Sequence, residues 1–319
     1  MRSTMLMTLA LVAGGCGDDT TAGARDMTAV GDLAVPDLAV GATAARGEEL
    51  VKHLLLCGSC HTTPDAMGNP STLATDFLAG GRHFSVTVPD GGTVDVYAPN
   101  LTPDSATGLG TWSNQQIVDA ITVGVDDQGN ALWPTMPYPR FSNLTPDDAA
   151  SIALYLTSLP AQSHSVTQDS GHPALASPAL DFSPLPHTTL AATDPGYAAA
   201  ERGRYLANLG CVHCHTPPGS SPLGLDETKA YAGGRSFGGG LQSSNLTPDA
   251  TGLAGWTIAD LVATLKTNQE KGTGVMLLAP MAGGPNGFGG LLDADLNDLA
   301  QLVHTLPPVV NGPFMHPDM

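Results

Sequence analysis

Two pentapeptides hold the densest chemistry of this 319-residue chain, Cys57-Gly58-Ser59-Cys60-His61 and Cys211-Val212-His213-Cys214-His215. Two residues between the thiols let both reach the two vinyl groups of one haem as thioethers, and the histidine that follows then faces the iron. Zinc would need four ligands from one cluster, whereas each pentad offers two cysteines and a histidine at this spacing. A thioredoxin-like redox pair would need a preceding strand, and a helical stripe precedes the first pentad instead. The expected cofactors are two covalently bound haem c, attached through Cys57, Cys60, Cys211 and Cys214 and ligated by His61 and His215. Four of the five cysteines are thereby used, leaving Cys16.

A sixth iron ligand remains to be found. A thioether favours the softer Fe(II) and so raises the potential. From Asn100 to Met136 is 36 residues and from Asn245 to Met281 is also 36, whereas Met276 would give 31. Proline follows Met136 and precedes Met281, which places both on extended loop backbone where a side chain can be aimed freely. Met136 and Met281 are therefore the expected sixth ligands. His53, His83, His213 and His304 do not recur in register and are read as non-ligands. Arg82 and Arg235 each follow Gly-Gly and suit a haem propionate or a loop carboxylate. Trp112 and Trp256 are expected to wall the haem edge. Asn100 and Asn245, each before Thr-Pro-Asp, read as turn-forming residues.

These groups recur because two long segments of the chain align with one another. Ala79-Gly80-Gly81-Arg82, Asn100-Leu101-Thr102-Pro103-Asp104 and Trp112 are matched by Ala232-Gly233-Gly234-Arg235, Asn245-Leu246-Thr247-Pro248-Asp249 and Trp256. Leu50, Val51, Leu54 and Leu55 make one helix face running into the first pentad. Ser113 with Gln116 has the form of a capping box, Thr257 leads the same element in the second segment, and Thr145 with Pro146 opens a last helix whose counterpart begins near Asp293. Pro160 and Pro307 stop those last helices. The expected fold is all-α, two tandem domains of short helices joined by long Gly/Pro loops, over residues 46–160 and 195–309. Residues 161–194 read as a linker and 310–319 as a tail.

Residues 1–16 carry Arg2, an apolar stretch from Met5 to Ala13 and Cys16, which reads as a signal too short to cross a bilayer. The run Leu11-Val12-Ala13-Gly14-Gly15-Cys16 resembles a bacterial lipoprotein signal, which implies lipidation of Cys16 and a membrane anchor on the periplasmic side. Residues 17–45 read as a solvated tether. A net charge of -18 opposes any grip on a nucleic-acid backbone. Residues 46–160 hold 12 acidic and 4 basic residues against 9 and 6 in 195–309, so the first segment should steer a cationic redox partner.

Each segment resembles a class I cytochrome c domain. The strings Gly80-Gly81-Arg82, Asn100 to Asp104, Thr107-Gly108-Leu109-Gly110-Thr111-Trp112 and Met136-Pro137-Tyr138-Pro139 are similar to the cytochrome c subunits of quinoprotein alcohol and flavin gluconate dehydrogenases. Those subunits typically carry three haems and a C-terminal membrane anchor, where this chain shows two pentads and no such anchor. The resemblance implies electron transfer without substrate chemistry, between a dehydrogenase donor and a cytochrome or oxidase acceptor. The alternative is a dihaem peroxidase-like enzyme, which needs one iron with an open position.

Overall fold

The computed structural model describes residues 41–64, 76–88, 91–167, 169–238, 240–277, 281 and 287–312. Cys16 with the signal, most of the tether, Gly283 to Asn286 and most of the tail lie outside the described residues. The fold is dominated by short helices, as expected. The first part runs α1 (Ala44–Glu49), α2 (Gly58–His61), β1 (His83–Thr87), β2 (Thr93–Tyr97), α3 (Asn114–Thr122), α4 (Tyr138–Phe141) and α5 (Pro146–Ser158). The second runs α6 (Tyr197–Gly210), α7 (Val212–His215), β3 (Ser236–Gly238), β4 (Leu241–Gln242), α8 (Ile258–Thr267) and α9 (Asp293–Thr305).

The helix starts follow from their caps. Ser113 accepts from the Gln116 N-H while the Gln116 side chain reaches back, and Thr257 with Asp260 closes the same reciprocal box at α8. Thr145 accepts from the Asp148 N-H ahead of Pro146, where a missing N-H removes no helical bond. At α9 the cap comes from a distant side chain: the Leu292 N-H donates to Glu49 Oε1 at 2.7 Å.

Glycine fixes the main helix contacts. α1 crosses α5 at Gly47, where an added Cβ would stand 1.9 Å from the Ser151 carbonyl oxygen; α6 crosses α9 at Gly203, where it would stand 2.0 Å from that of Asp298. Both arginine neighbours of these glycines bind the helix they cross. Arg46 Nε bonds Asp148 Oδ1 at 2.9 Å, and Arg202 Nε bonds Asp298 Oδ2 at 2.7 Å.

The approach to the first pentad is not a plain α-helix. After α1, residues Leu50–Leu54 widen into a π-helical turn, and Leu56 adopts a left-handed φ of 52°. From Arg46 to Cys57 is 11 residues, but from Arg202 to Cys211 only 9. The widened turn and the left-handed residue absorb the two extra positions, whereas α6 runs regularly to Gly210. The hairpins β1-β2 and β3-β4 were not part of the expected all-α reading. Their strands are half-exposed, with Val94 and Val96 turned to the less exposed face of β2.

A continuous apolar core joins Leu50, Leu54, Ile152 and Leu156 to Leu206, Leu209, Leu299 and Leu302. Segment 161–194 is docked on it: Phe182 and Leu185 are buried, and Arg204 donates to the carbonyls of Phe182, Leu185 and Pro186. Arg46 also pairs with Asp295 of α9, while the Tyr205 hydroxyl donates to Asp148 Oδ2 at 2.7 Å and accepts from the Thr145 N-H. The Arg46 guanidinium is partly desolvated, but Asp148 and Asp295 more than offset this and hold its pKa above the usual arginine range. Gly47→Val is expected to lower stability by at least about 2 kcal/mol through steric overlap; guanidinium titration should show a lower midpoint at unchanged slope.

Candidate haem-binding site

α2 and α7 carry the two histidines, and in both the ring is fixed by a backbone carbonyl. His61 Nδ1 lies 3.0 Å from the Pro99 oxygen and His215 Nδ1 lies 2.9 Å from the Ser244 oxygen. A carbonyl only accepts, so Nδ1 carries the proton in each, leaving the Nε2 lone pair free for a metal. Burial pushes both imidazoles below the ordinary histidine range, although the carbonyl contact works the other way. Both rings therefore stay neutral at physiological pH.

The carbonyls are positioned by the Gly-Gly pairs. The Gly80 N-H donates to the His61 oxygen at 2.8 Å and the Gly81 N-H to the Ala98 oxygen at 2.9 Å. Gly233 and Gly234 do the same to His215 and Ser243 at 2.7 and 2.9 Å. Both members of each pair have positive φ, and a Cβ on Gly80 or Gly233 would meet backbone within 2.6 and 2.4 Å. Thr62 and Thr216 receive the Leu78 and Tyr231 N-H groups at 3.1 and 3.0 Å, holding each of these residues at a left-handed φ. Asn100 Oδ1 accepts from the Thr102 N-H, and its Nδ2 donates to Thr107 and to the Gln162 carbonyl. Asn245 makes the corresponding bonds to Thr247, Thr251 and Val309. Sequence reasoning had the asparagines as turn formers, but it gave the Gly-Gly pairs no role; their recurrence in register was the available signal.

The four described cysteines are free thiols. Desolvation pushes those of Cys57 and Cys211 up to about 12, so both remain protonated. Met136 and Met281 are half-buried and pack against the core that carries Cys57 and Cys211, whereas Met276 is 51% exposed. Trp112 is half-buried against the same core, and Lys271 Nζ stands 5.7 Å from the Trp256 ring centre. Arg82 Nη1 donates to the Ser59 oxygen at 2.6 Å, tying β1 to the first pentad. Arg235 Nε is buried without a partner, as is His213 Nδ1. Burial, then the charges of Arg140 and Arg235, push His213 down to about 4. His53 meets the Gly287 carbonyl at 3.0 Å, His83 pairs with Asp95, and His304 is exposed.

These residues fit haem. Each half presents a neutral imidazole with one nitrogen free beside two thiols, buried at His61 and half-buried at His215, and buried orphan nitrogens flank the second thiol pair. Among the described residues no group of three or more His, Cys, Asp and Glu side chains could hold a bare metal ion.

The family model for cytochrome c matches residues 44–160. Over 244 residues the chain is 32% identical to a diheme cytochrome c-type protein of Cereibacter sphaeroides, covering 73% of this chain and 76% of that one. It is 29% identical over 295 residues to the cytochrome c subunit of a quinone alcohol dehydrogenase of Gluconobacter oxydans, covering 83% and 55%. With the fructose dehydrogenase cytochrome subunit of Gluconobacter japonicus the identity is 27% over 263 residues, covering 79% and 50%. The chain thus spans about half the length of these two dehydrogenase subunits.

The geometry predicts that Gly233→Ala displaces the Ser244 carbonyl and frees the His215 ring. Haem-loaded protein of this variant should show a visible spectrum displaced from that of wild type.

Proposed function

The chain belongs to the cytochrome c family, and from that premise we propose that it is a dihaem electron carrier on the periplasmic side of a bacterial membrane. It would relay single electrons from a dehydrogenase-type donor to a respiratory acceptor, held at the membrane by lipid on Cys16. The observation that carries this reading is the pair of neutral histidines, each with Nδ1-H on a backbone carbonyl and Nε2 free, each beside its own thiol pair. Relatives described as a diheme cytochrome and as dehydrogenase cytochrome subunits support the haem count and the class of donor.

Bound haem supplies reversible one-electron Fe(III)/Fe(II) chemistry. Cys57 and Cys60 would hold one group, Cys211 and Cys214 the other. His61 and His215 would be oriented as neutral ligands by Pro99 and Ser244, which also raises their basicity. Met136 and Met281 would supply a sulfur ligand to each group, and half-burial of Met281 against exposure of Met276 supports that choice in the second half. Ligation by both methionines would leave an incoming substrate no open iron, and on this reading the peroxidase-like alternative is disfavoured. The acidic first half would attract a cationic partner protein, so exchange with such a partner should slow as salt rises.

Spectra of the oxidised holoprotein test the assignment. Two low-spin irons with a methionine-to-iron charge-transfer band are expected, whereas a high-spin ferric component that binds cyanide would point to the enzyme. Met136→His and Met281→His should each lower one potential and leave the other nearly unmoved; equal shifts of both would overturn the ligand assignment.

A further inference from the structure

Tyr231 and Asn208 form a buried polar pair that the reading above leaves unused. The Tyr231 hydroxyl donates to Asn208 Oδ1 at 2.5 Å, and the two residues are 0% and 2% exposed. Both stand against the second pentad. Asn208 lies on α6, three residues before Cys211, and the Tyr231 N-H donates at 3.0 Å to Thr216 Oγ1, on the residue after His215. Tyr231 belongs to the core on which Cys211 packs. Burial holds its phenol well above the ordinary tyrosine range, so the hydroxyl keeps its proton and goes on donating.

The first half has the same backbone at this place but no polar side chain. Leu78 and Tyr231 share a left-handed φ, 62° and 61°. Each N-H is received by the threonine after the pentad, and each carbonyl accepts from the N-H of Leu101 or Leu246 at 2.8 Å. The two side chains therefore leave matching points of matching loops, one as an isobutyl group and one as a phenol. Counting back three residues from the first cysteine of each pentad gives Leu54 and Asn208, both buried. The hydrogen-bonded pair is thus a difference between two otherwise parallel surroundings. A haem iron carries one positive charge more when oxidised, and apolar burial penalises that charge. With its only hydrogen spent on Asn208, the phenol oxygen turns lone pairs to its other neighbours, and these favour the more positive ferric form. Leucine offers no such relief.

We propose that the hydrogen-bonded pair of Tyr231 and Asn208 makes the second haem the lower-potential centre of the two, while Leu78 leaves the first haem the higher. The proposal rests on the two-haem reading given above. An electron entering at the second half then runs downhill to the first, whose acidic surface would meet a cationic partner.

The test is a redox titration of the full-length holoprotein, followed in the visible spectrum, with haem counted per chain. Wild type should titrate in two resolved one-electron steps. Asn208→Leu combined with Tyr231→Leu gives the second half the leucines of the first. This double variant should raise the reduction equilibrium of the lower step about tenfold, 59 mV, leave the upper step within about twofold and retain the methionine-to-iron band. Coincident steps in wild type, a rise of the upper step alone, equal movement of both, a fall, or no movement would overturn the proposal. A rise accompanied by loss of the methionine band would assign the effect to iron ligation and overturn it as well. Should the double variant not retain both haems, Tyr231→Phe removes the hydroxyl, keeps the ring and should raise the lower step at least about threefold. No rise in that variant, or loss of a haem there too, would overturn the proposal. Fewer than two haems per chain in wild type would sink the underlying reading, whereas unmoved steps at two haems per chain overturn this proposal alone.

Discussion

An imidazole N-H held against a backbone carbonyl is the interaction around which each half is organised. Once burial has removed water, the Nδ1 proton of His61 or His215 has nowhere else to go, and a single fixed acceptor decides both the tautomer and the ring orientation. Much of the surrounding loop exists to hold that acceptor still. The Gly-Gly pair lets the chain turn back over the pentad, the buried threonine locks Leu78 or Tyr231, and the asparagine ties the turn beyond to a distant carbonyl. Each bond is worth about 1 kcal/mol in stability, but their combined effect is to fix the carbonyl on which each imidazole is held.

The second constraint is electrostatic. Arg46 gathers Glu49, Asp148 and Asp295 from three helices, and Tyr205 returns a hydrogen bond to Asp148. Partly buried charge is tolerated there because every member is paired.

How much of this was legible beforehand follows from the range of each signal. The pentads, the shared spacing from asparagine to methionine, and the caps at Ser113, Thr145 and Thr257 are local, and the structure has the helices starting where those residues stand. The hairpins were not read, because β1 and β2 are short, half-exposed and amid glycines whose turn chemistry masks the alternation. The widened turn at Leu50–Leu54 was hidden in a stripe that reads equally well as an ordinary helix face. It could have been suspected from the two residues by which the first approach exceeds the second. Glu49 gave no local sign at all, because the helix it caps lies more than two hundred residues away and only tertiary packing brings the two together.

That long-range cap has a consequence for how such a chain can change. Glu49 and Arg46 serve α9, Tyr205 serves α5, and Leu54 is seated on Gly210. Neither half is a portable cassette: severing the chain between them would strand a carboxylate and a guanidinium on one fragment and a phenol on the other, each newly wet or newly unpaired. Recombination that shuffles single halves must therefore either transfer the pair as one block or rebuild the seam.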